Sequence, residues 1–300
     1  MPMQRCALSG LILLLTLSVA FAETPGSLPL LKMAPDARSV ALGETGTAGA
    51  VGAVAVFHNP ALLPFYDHSQ AAFAYTDWIL DLSLQSGSLL FHYPRLSVAL
   101  SFNAFTTPNL ERRVLPADNP IETFDAHDLA AGISLGYLLW DNLSIGLTGR
   151  YLYQQIYVDE ASGGCADLGA AYKLRPWGLT VAAAVRNLGK MEPLQKEEAP
   201  LPKNAALGIA GTILRGGDFG LRGLGDAQLL FDDNLRLHAG LEGSWKEHLF
   251  LRFGYQTGSE LRRFSGGVGL AWNRFSFDYA FQPLAEDFGS THRFTLSIFF

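Results

Sequence analysis

The sequence predicts an all-β protein: a transmembrane antiparallel β-barrel of about 14 strands with an N-terminal segment plugging the lumen. Three observations predict it. Only 17% of the 300 residues are charged while 49% are hydrophobic, against roughly 25% charged in an ordinary soluble domain. No run of about 20 apolar residues, the length a spanning helix needs, follows the first 22 positions. From about Ala71 to Phe300, apolar residues alternate with small or polar ones, the period of a strand between two environments.

The remaining composition narrows the class. Aromatics make up 12% of the chain, there are 31 glycines, and mean hydropathy is +0.16. Hydrophobicity at this level argues against disorder. A net charge of -6 with no basic cluster argues against a nucleic-acid partner.

Residues 1–22 carry Arg5, an apolar stretch from Leu11 to Val19, and Ala20 and Ala22 at the A-x-A spacing of signal peptidase. A secretory leader cleaved near Ala22 is expected. Its removal takes Cys6 away and leaves Cys165 as the one cysteine, expected to be a small apolar residue in a strand. No disulfide follows.

Candidate strands lie near 70–77, 84–93, 96–105, 127–139, 143–158, 165–173, 179–188, 205–214, 226–231, 235–245, 249–256, 264–272, 275–282 and 291–300. Alternation is clearest toward the C-terminus, where Leu249, Leu251, Phe253 and Tyr255 oppose Arg252, Gly254 and Gln256. Alternation alone does not separate a lipid-facing strand from one in a soluble sandwich. Lipid is favoured by the aromatic character of the apolar face and by Tyr75, Tyr93, Tyr137, Trp140, Tyr151, Tyr153, Trp245, Tyr255 and Trp272 falling toward strand ends, where interfacial girdles form. The opposite face is rich in small residues. The last strand exposes Phe294, Leu296, Ile298 and Phe300, which resembles the C-terminal signal read by outer-membrane assembly machinery.

Connections alternate in length. Pro94-Arg95, 140–142, 246–248 and Asn273-Arg274 are short, whereas 106–125, 189–203, 257–263 and 283–290 are longer. Short periplasmic turns and long outer loops put both termini in the periplasm. The stretch from Arg215 to Gly225 breaks this pattern. A two-residue turn at Asn273-Arg274 sets Trp272 opposite Phe275, and a three-residue turn at 246–248 sets Trp245 opposite Leu249 and Glu242 opposite Arg252 inside the barrel.

Residues 23–69 do not alternate and carry glycines at 43, 46, 49 and 52. Their length suits a lumen plug. Asp36, Ala37 and Arg38, then Ala41-Leu42-Gly43 and Phe57-His58-Asn59-Pro60-Ala61-Leu62, resemble the amino-terminal block of the PorV/PorQ family, which is related to FadL-type barrels. Stretches at 166–172, at Asn187-Leu188-Gly189 and at Thr291-His292-Arg293 extend the resemblance over most of the mature chain. Gly43-Glu44-Thr45-Gly46 and Val51-Gly52-Ala53-Val54 depart from the family's usual first block, and the shorter chain points nearer to PorQ. The resemblance implies a fourteen-stranded barrel with its N-terminal segment inside.

Enzyme signatures such as G-x-S-x-G, H-E-x-x-H and G-x-x-x-x-G-K-[ST] are absent. The glycines of the plug lack nucleotide-loop spacing, and the seven histidines are scattered, His58 suiting a cap or turn better than a metal ligand. No catalytic residue, cofactor or metal is expected. The predicted lumen-facing charges are Arg150, Arg186, Arg236, Glu242, Arg252, Asp278 and Arg293. They suit salt bridges in a plugged barrel or an electropositive path for an anionic or amphipathic solute.

Two functions stay open. The resemblance to PorV/PorQ implies a component of protein export of the type IX kind, with secretion-system partners. The resemblance to FadL implies a passive channel for hydrophobic or amphipathic molecules, which needs an outer capture groove and a lateral break in a strand. The candidate strand 96–105 alternates without interruption and the longest loop is short, which leans toward export.

Overall fold

The computed structural model describes residues 28–113, 120–194, 200–231, 234–259, 261–285 and 288–300. The leader and its cleavage site lie outside them. Fourteen antiparallel strands form a closed barrel: β1 (Gln70–Asp77), β2 (Ser83–His92), β3 (Leu96–Arg112), β4 (Glu122–Trp140), β5 (Leu143–Ile156), β6 (Asp159–Leu174), β7 (Leu179–Met191), β8 (Asn204–Gly216), β9 (Phe219–Leu230), β10 (Leu235–Trp245), β11 (Leu249–Gln256), β12 (Phe264–Trp272), β13 (Phe275–Pro283) and β14 (Ser290–Phe299). Every strand pairs with its chain neighbours, and β1 closes on β14, with Ala71 opposite Ile298 and Tyr75 opposite Phe294. Closure leaves no sheet edge, which is the condition for crossing lipid with strands.

The alternating pattern becomes two faces. Phe253, Leu251 and Tyr255 are exposed outward while Arg252, Gly254 and Gln256 are buried inward. At the end bearing the short turns, Trp140, Trp177, Phe219, Trp245, Trp272 and Phe275 are all exposed, forming one girdle. Tyr255, Phe264 and Phe281 are exposed near the end with the longer connections. Outward Phe294, Leu296, Ile298 and Phe300 continue the apolar band on the last strand.

Two sequence expectations need correction. The stretch 215–225 is no loop: β9 begins at Phe219, and only Gly217-Asp218 turn the chain, with Gly217 at φ 56°. Alternation is masked there because Gly223 and Gly225 take outward positions, opposite Gly211 and Ile209. The connection expected over 106–125 shrinks to 113–121, since β3 and β4 run on beyond the apolar band. Polar residues carry that extension: Asn109 donates its backbone N–H to Asp125 at 3.0 Å, and Arg112 meets Glu122 at 2.7 Å. Over 96–105 the strand alternates without interruption, as expected; the register of β3 with β4 shifts only beyond it, between Thr107 and Leu110, with Asn109 at φ 57°.

Residues 28–69 fill the lumen. A short helix, α1 (Ala37–Ala41), is followed by 3-10 segments Gly52–Phe57 and Pro60–Phe65. Their backbone polar groups find partners in the wall, as buried ones must. Asp226 accepts from Gly46 and Thr47 N–H at 3.0 and 2.8 Å, Gln70 from Ala53 N–H at 2.7 Å, and Thr295 from Ala37 N–H at 2.9 Å. Inward glycines let the plug come this close. A Cβ at Gly254 would strike the backbone of Leu42 and Gly43, and one at Gly146 the backbone of Pro60 and Ala61.

One ion cluster pins the plug laterally. Arg38 grips Glu242 with two parallel bonds, Nε to Oε2 and Nη2 to Oε1, both 2.9 Å, while its Nη1 donates to the Gly49 carbonyl at 2.8 Å. Across the β10–β11 ladder Arg252 donates to the same Glu242 Oε2 at 2.8 Å and to Asp278 at 2.5 Å. Such bidentate, charge-assisted bonds fix geometry as well as charge.

Glu242→Leu should therefore strand the buried Arg38 guanidinium, leave Arg252 with Asp278 alone, and lower stability by about 3–5 kcal/mol, read from urea unfolding in detergent micelles. An unfolding midpoint equal to wild type would remove the cluster's anchoring role. Gly254→Val should cost about 3 kcal/mol by overpacking the plug. Gly149→Ala, whose added Cβ meets nothing within 4 Å, should stay within about 0.5 kcal/mol of wild type in the same measurement.

Candidate functional site in the plugged lumen

The N-terminal block has a structural logic at each residue. Asp36 caps α1 by accepting from Ser39 N–H at 2.8 Å, and its second oxygen meets His58 Nε2 at 2.7 Å. Burial alone would raise the Asp36 carboxyl, but the hydrogen bond and charge of His58 hold it below the usual carboxylate range. Ala37 is fully buried, Arg38 is the plug's arm to Glu242, and Gly43 at φ 71° passes against the backbone of Ala239 and Tyr255. Asn59 caps the second 3-10 segment, accepting from Ala61 N–H at 3.0 Å while donating to the Thr47 carbonyl at 2.9 Å. Pro60 opens that segment, where a missing N–H is harmless.

The lumen-facing charges divide into three groups. Glu242, Arg252 and Asp278 form the cluster with Arg38. Arg150 pairs with Asp167 at 2.5 Å. Arg186, Arg236 and Arg293 have no carboxylate within ion-pair distance among the described residues. Arg186 donates to the neutral Asn204 at 2.9 Å. Arg236 Nε is buried without a partner. Arg293, fully buried, donates to Thr291 at 2.9 Å and sets its guanidinium 4.9 Å from the Trp78 ring.

Several lumenal residues escaped the sequence analysis. Asp167 sits at a register shift between β6 and β7, where Asn187, at φ 61°, donates its N–H to the Asp167 carboxylate at 2.8 Å. Glu44 reaches Arg262 at 3.1 Å. Asp167 is hidden by that register shift, whereas the contacts of Glu44 and Arg38 belong to an irregular segment that has no period to place them.

The half of the lumen toward the longer connections contains an apolar chamber. Its walls are Leu84, Phe105, Ala130, Leu152 and Cys165, with Leu201 folded in from the β7–β8 connection. Leu28 and Leu30 fill it, at 0% and 1% exposure, with Leu31 and Met33 against its edge. Beside it, under residues 30–35, lies a polar cavity of about 70 Å³ bordered by Arg150, Arg186 and Arg236. On the membrane side of the same wall a groove of about 940 Å³ is floored by Gly132, Gly149, Gly163 and Gly164. Cys165 touches both chamber and groove, so one sheet thickness separates them. No group of three or more His, Cys, Asp or Glu able to hold a metal occurs among the described residues.

No protein-family model matches the chain, and no curated protein does. Solved structures do. The toluene transporter TodX of Pseudomonas putida is 12% identical with a TM-score of 0.61, the match covering 87% of this chain and 96% of that one. The toluene transporter TbuX of Ralstonia pickettii is 14% identical with a TM-score of 0.58, covering 88% and 96%. A FadL homologue of Pseudomonas aeruginosa is 12% identical with a TM-score of 0.53, covering 92% and 99%. These neighbours are transport barrels rather than enzymes, and at such identity the likeness concerns the fold. It supports the FadL side of the resemblance and does not reach the PorV/PorQ subgroup. The chain has the fold of FadL-like outer-membrane barrels.

Proposed function

We propose that the protein is a passive channel for small hydrophobic molecules in the bacterial outer membrane. The observation that carries this reading is the apolar chamber. Elsewhere the wall meets the plug through small apolar residues and polar anchors such as Asp226 and Glu242. Here the wall turns apolar over Leu84, Phe105 and Leu152, and the chain supplies its own Leu28 and Leu30 as occupants. An apolar solute takes their place when the short Leu28–Leu31 segment lifts. The glycine floor beside the β6–β7 irregularity supplies a thin stretch of wall toward the lipid. The same fold carries hydrocarbons in proteins described as toluene transporters.

Protein export, which the PorV/PorQ resemblance implies, has less to stand on. Cargo docking needs an exterior surface, and β3 and β4 leave only 113–121 between them where a longer loop was expected. On the channel reading the leader ending near Ala22 directs the chain out of the cytoplasm, and the C-terminal Phe294 to Phe300 face is what assembly machinery engages.

Proteoliposomes carrying the wild type should take up labelled toluene faster than empty vesicles. Removing residues 28–31 should accelerate influx by vacating the chamber, and Leu152→Trp, which fills it, should slow influx. Uptake indistinguishable from empty vesicles for both wild type and the deletion would defeat the proposal.

A further inference from the structure

We infer that the cavity beneath the N-terminal segment binds a small inorganic anion between Arg186 and Arg236. The cavity is closed above by residues 30–35 and bordered by three arginines and Lys32, with Glu44 as the one carboxylate on its border. Three of the charges, Arg150, Glu44 and Lys32, already interact elsewhere. Arg150 is committed to Asp167 at 2.5 Å, and Glu44 to Arg262 at 3.1 Å. Arg186 spends its Nε on a neutral amide, Asn204 at 2.9 Å, and Arg236 Nε is sealed from solvent with no partner. A guanidinium does not shed its proton in a protein, so both groups remain charged. Asp167, Asp226 and Glu44 act on Arg186, and Glu44 on Arg236, only from beyond ion-pair distance; buried charge without a paired counter-ion is costly, and an anion drawn into the cavity lowers that cost.

Size and polarity agree. On the scale where one water occupies about 10–15 Å³, the roughly 70 Å³ available admits a phosphate-sized ion. Asn103, 6% exposed, borders the cavity with its Oδ1 unpartnered. That oxygen accepts from the hydroxyl of hydrogen phosphate, and a turned amide would donate to a phosphate oxygen instead. The anion ties residues 30–35 to the wall. It is a counter-ion of the resting lumen, and the inference stands whether or not the channel reading does.

The test uses the full mature chain refolded in detergent micelles, with inorganic phosphate titrated against gluconate, too bulky for the cavity, at fixed pH and ionic strength. Phosphate should raise the thermal midpoint saturably and slow hydrogen exchange over residues 30–35. Arg186→Gln and Arg236→Gln should abolish both effects, while in gluconate alone Arg236→Gln should be at least as stable as wild type. A rise that does not saturate or that the variants share is a general salt effect and overturns the inference, as does no rise at all. Crystals soaked in bromide give a measurement free of variants: an anomalous peak between the two guanidinium groups is expected, and a cavity holding only water overturns it.

Discussion

Inside a closed sheet set in lipid, irregular backbone has no bulk water to satisfy it, and the rest of this molecule is arranged around that constraint. Strands solve it for themselves by pairing all the way round. The plug cannot, because α1 and three 3-10 segments leave N–H and carbonyl groups unpaired at their ends. The wall meets them with inward side chains: Asp226 takes Gly46 and Thr47, Gln70 takes Ala53, Thr295 takes Ala37, and Ser144 donates to the Ala61 carbonyl. Small inward residues are the other half of the fit, since these bonds form only if the two backbones approach closely. Inward glycines such as Gly146, Gly240 and Gly254 thus answer a packing need.

Charge distribution divides the lumen. Around Glu242 the plug and wall neutralise each other through Arg38, Arg252 and Asp278, and the geometry is dense and bidentate. Toward the longer connections the pairing is looser: among the described residues Arg186, Arg236 and Arg293 have no carboxylate within ion-pair distance and feel Glu44 only from farther off. The same half holds the apolar chamber, where Leu30 packs against Leu84, Phe105 and Leu152. A bidentate ionic anchor at one level and a three-residue 3-10 turn (Pro29–Leu31) packed by apolar contact at another hold the plug by two different means. On the proposed channel reading, displacing the turn exposes apolar wall without disturbing the Arg38–Glu242 grip.

That division underlies the functional reading. A hydrophobic molecule gains by burial in proportion to the apolar area it covers, and Leu28 and Leu30 already demonstrate that the chamber accepts such groups. What distinguishes a channel from a sealed barrel is that its occupant can be exchanged.

Much of the architecture was legible in the sequence because lipid imposes a simple rule. A strand between lipid and lumen must alternate, so the strand count, the inward placement of residues such as Arg252 and Asp278, and the register at Asn273-Arg274 follow from period and turn length alone. Where the rule relaxes, legibility ends. The start of β9 was hidden because glycine occupies its outward positions, and the extensions of β3 and β4 were hidden because they lie beyond the apolar band. The plug has no period, so its composition marked it as a filler while its contacts stayed out of reach: that Arg38 meets Glu242, 204 positions away, that Asp36 meets His58, and that Leu30 enters an apolar chamber. Such pairings join residues remote in sequence across a closed interior, and only the tertiary structure, which sets the curvature of the wall and the path of the plug through it, brings them within bonding distance.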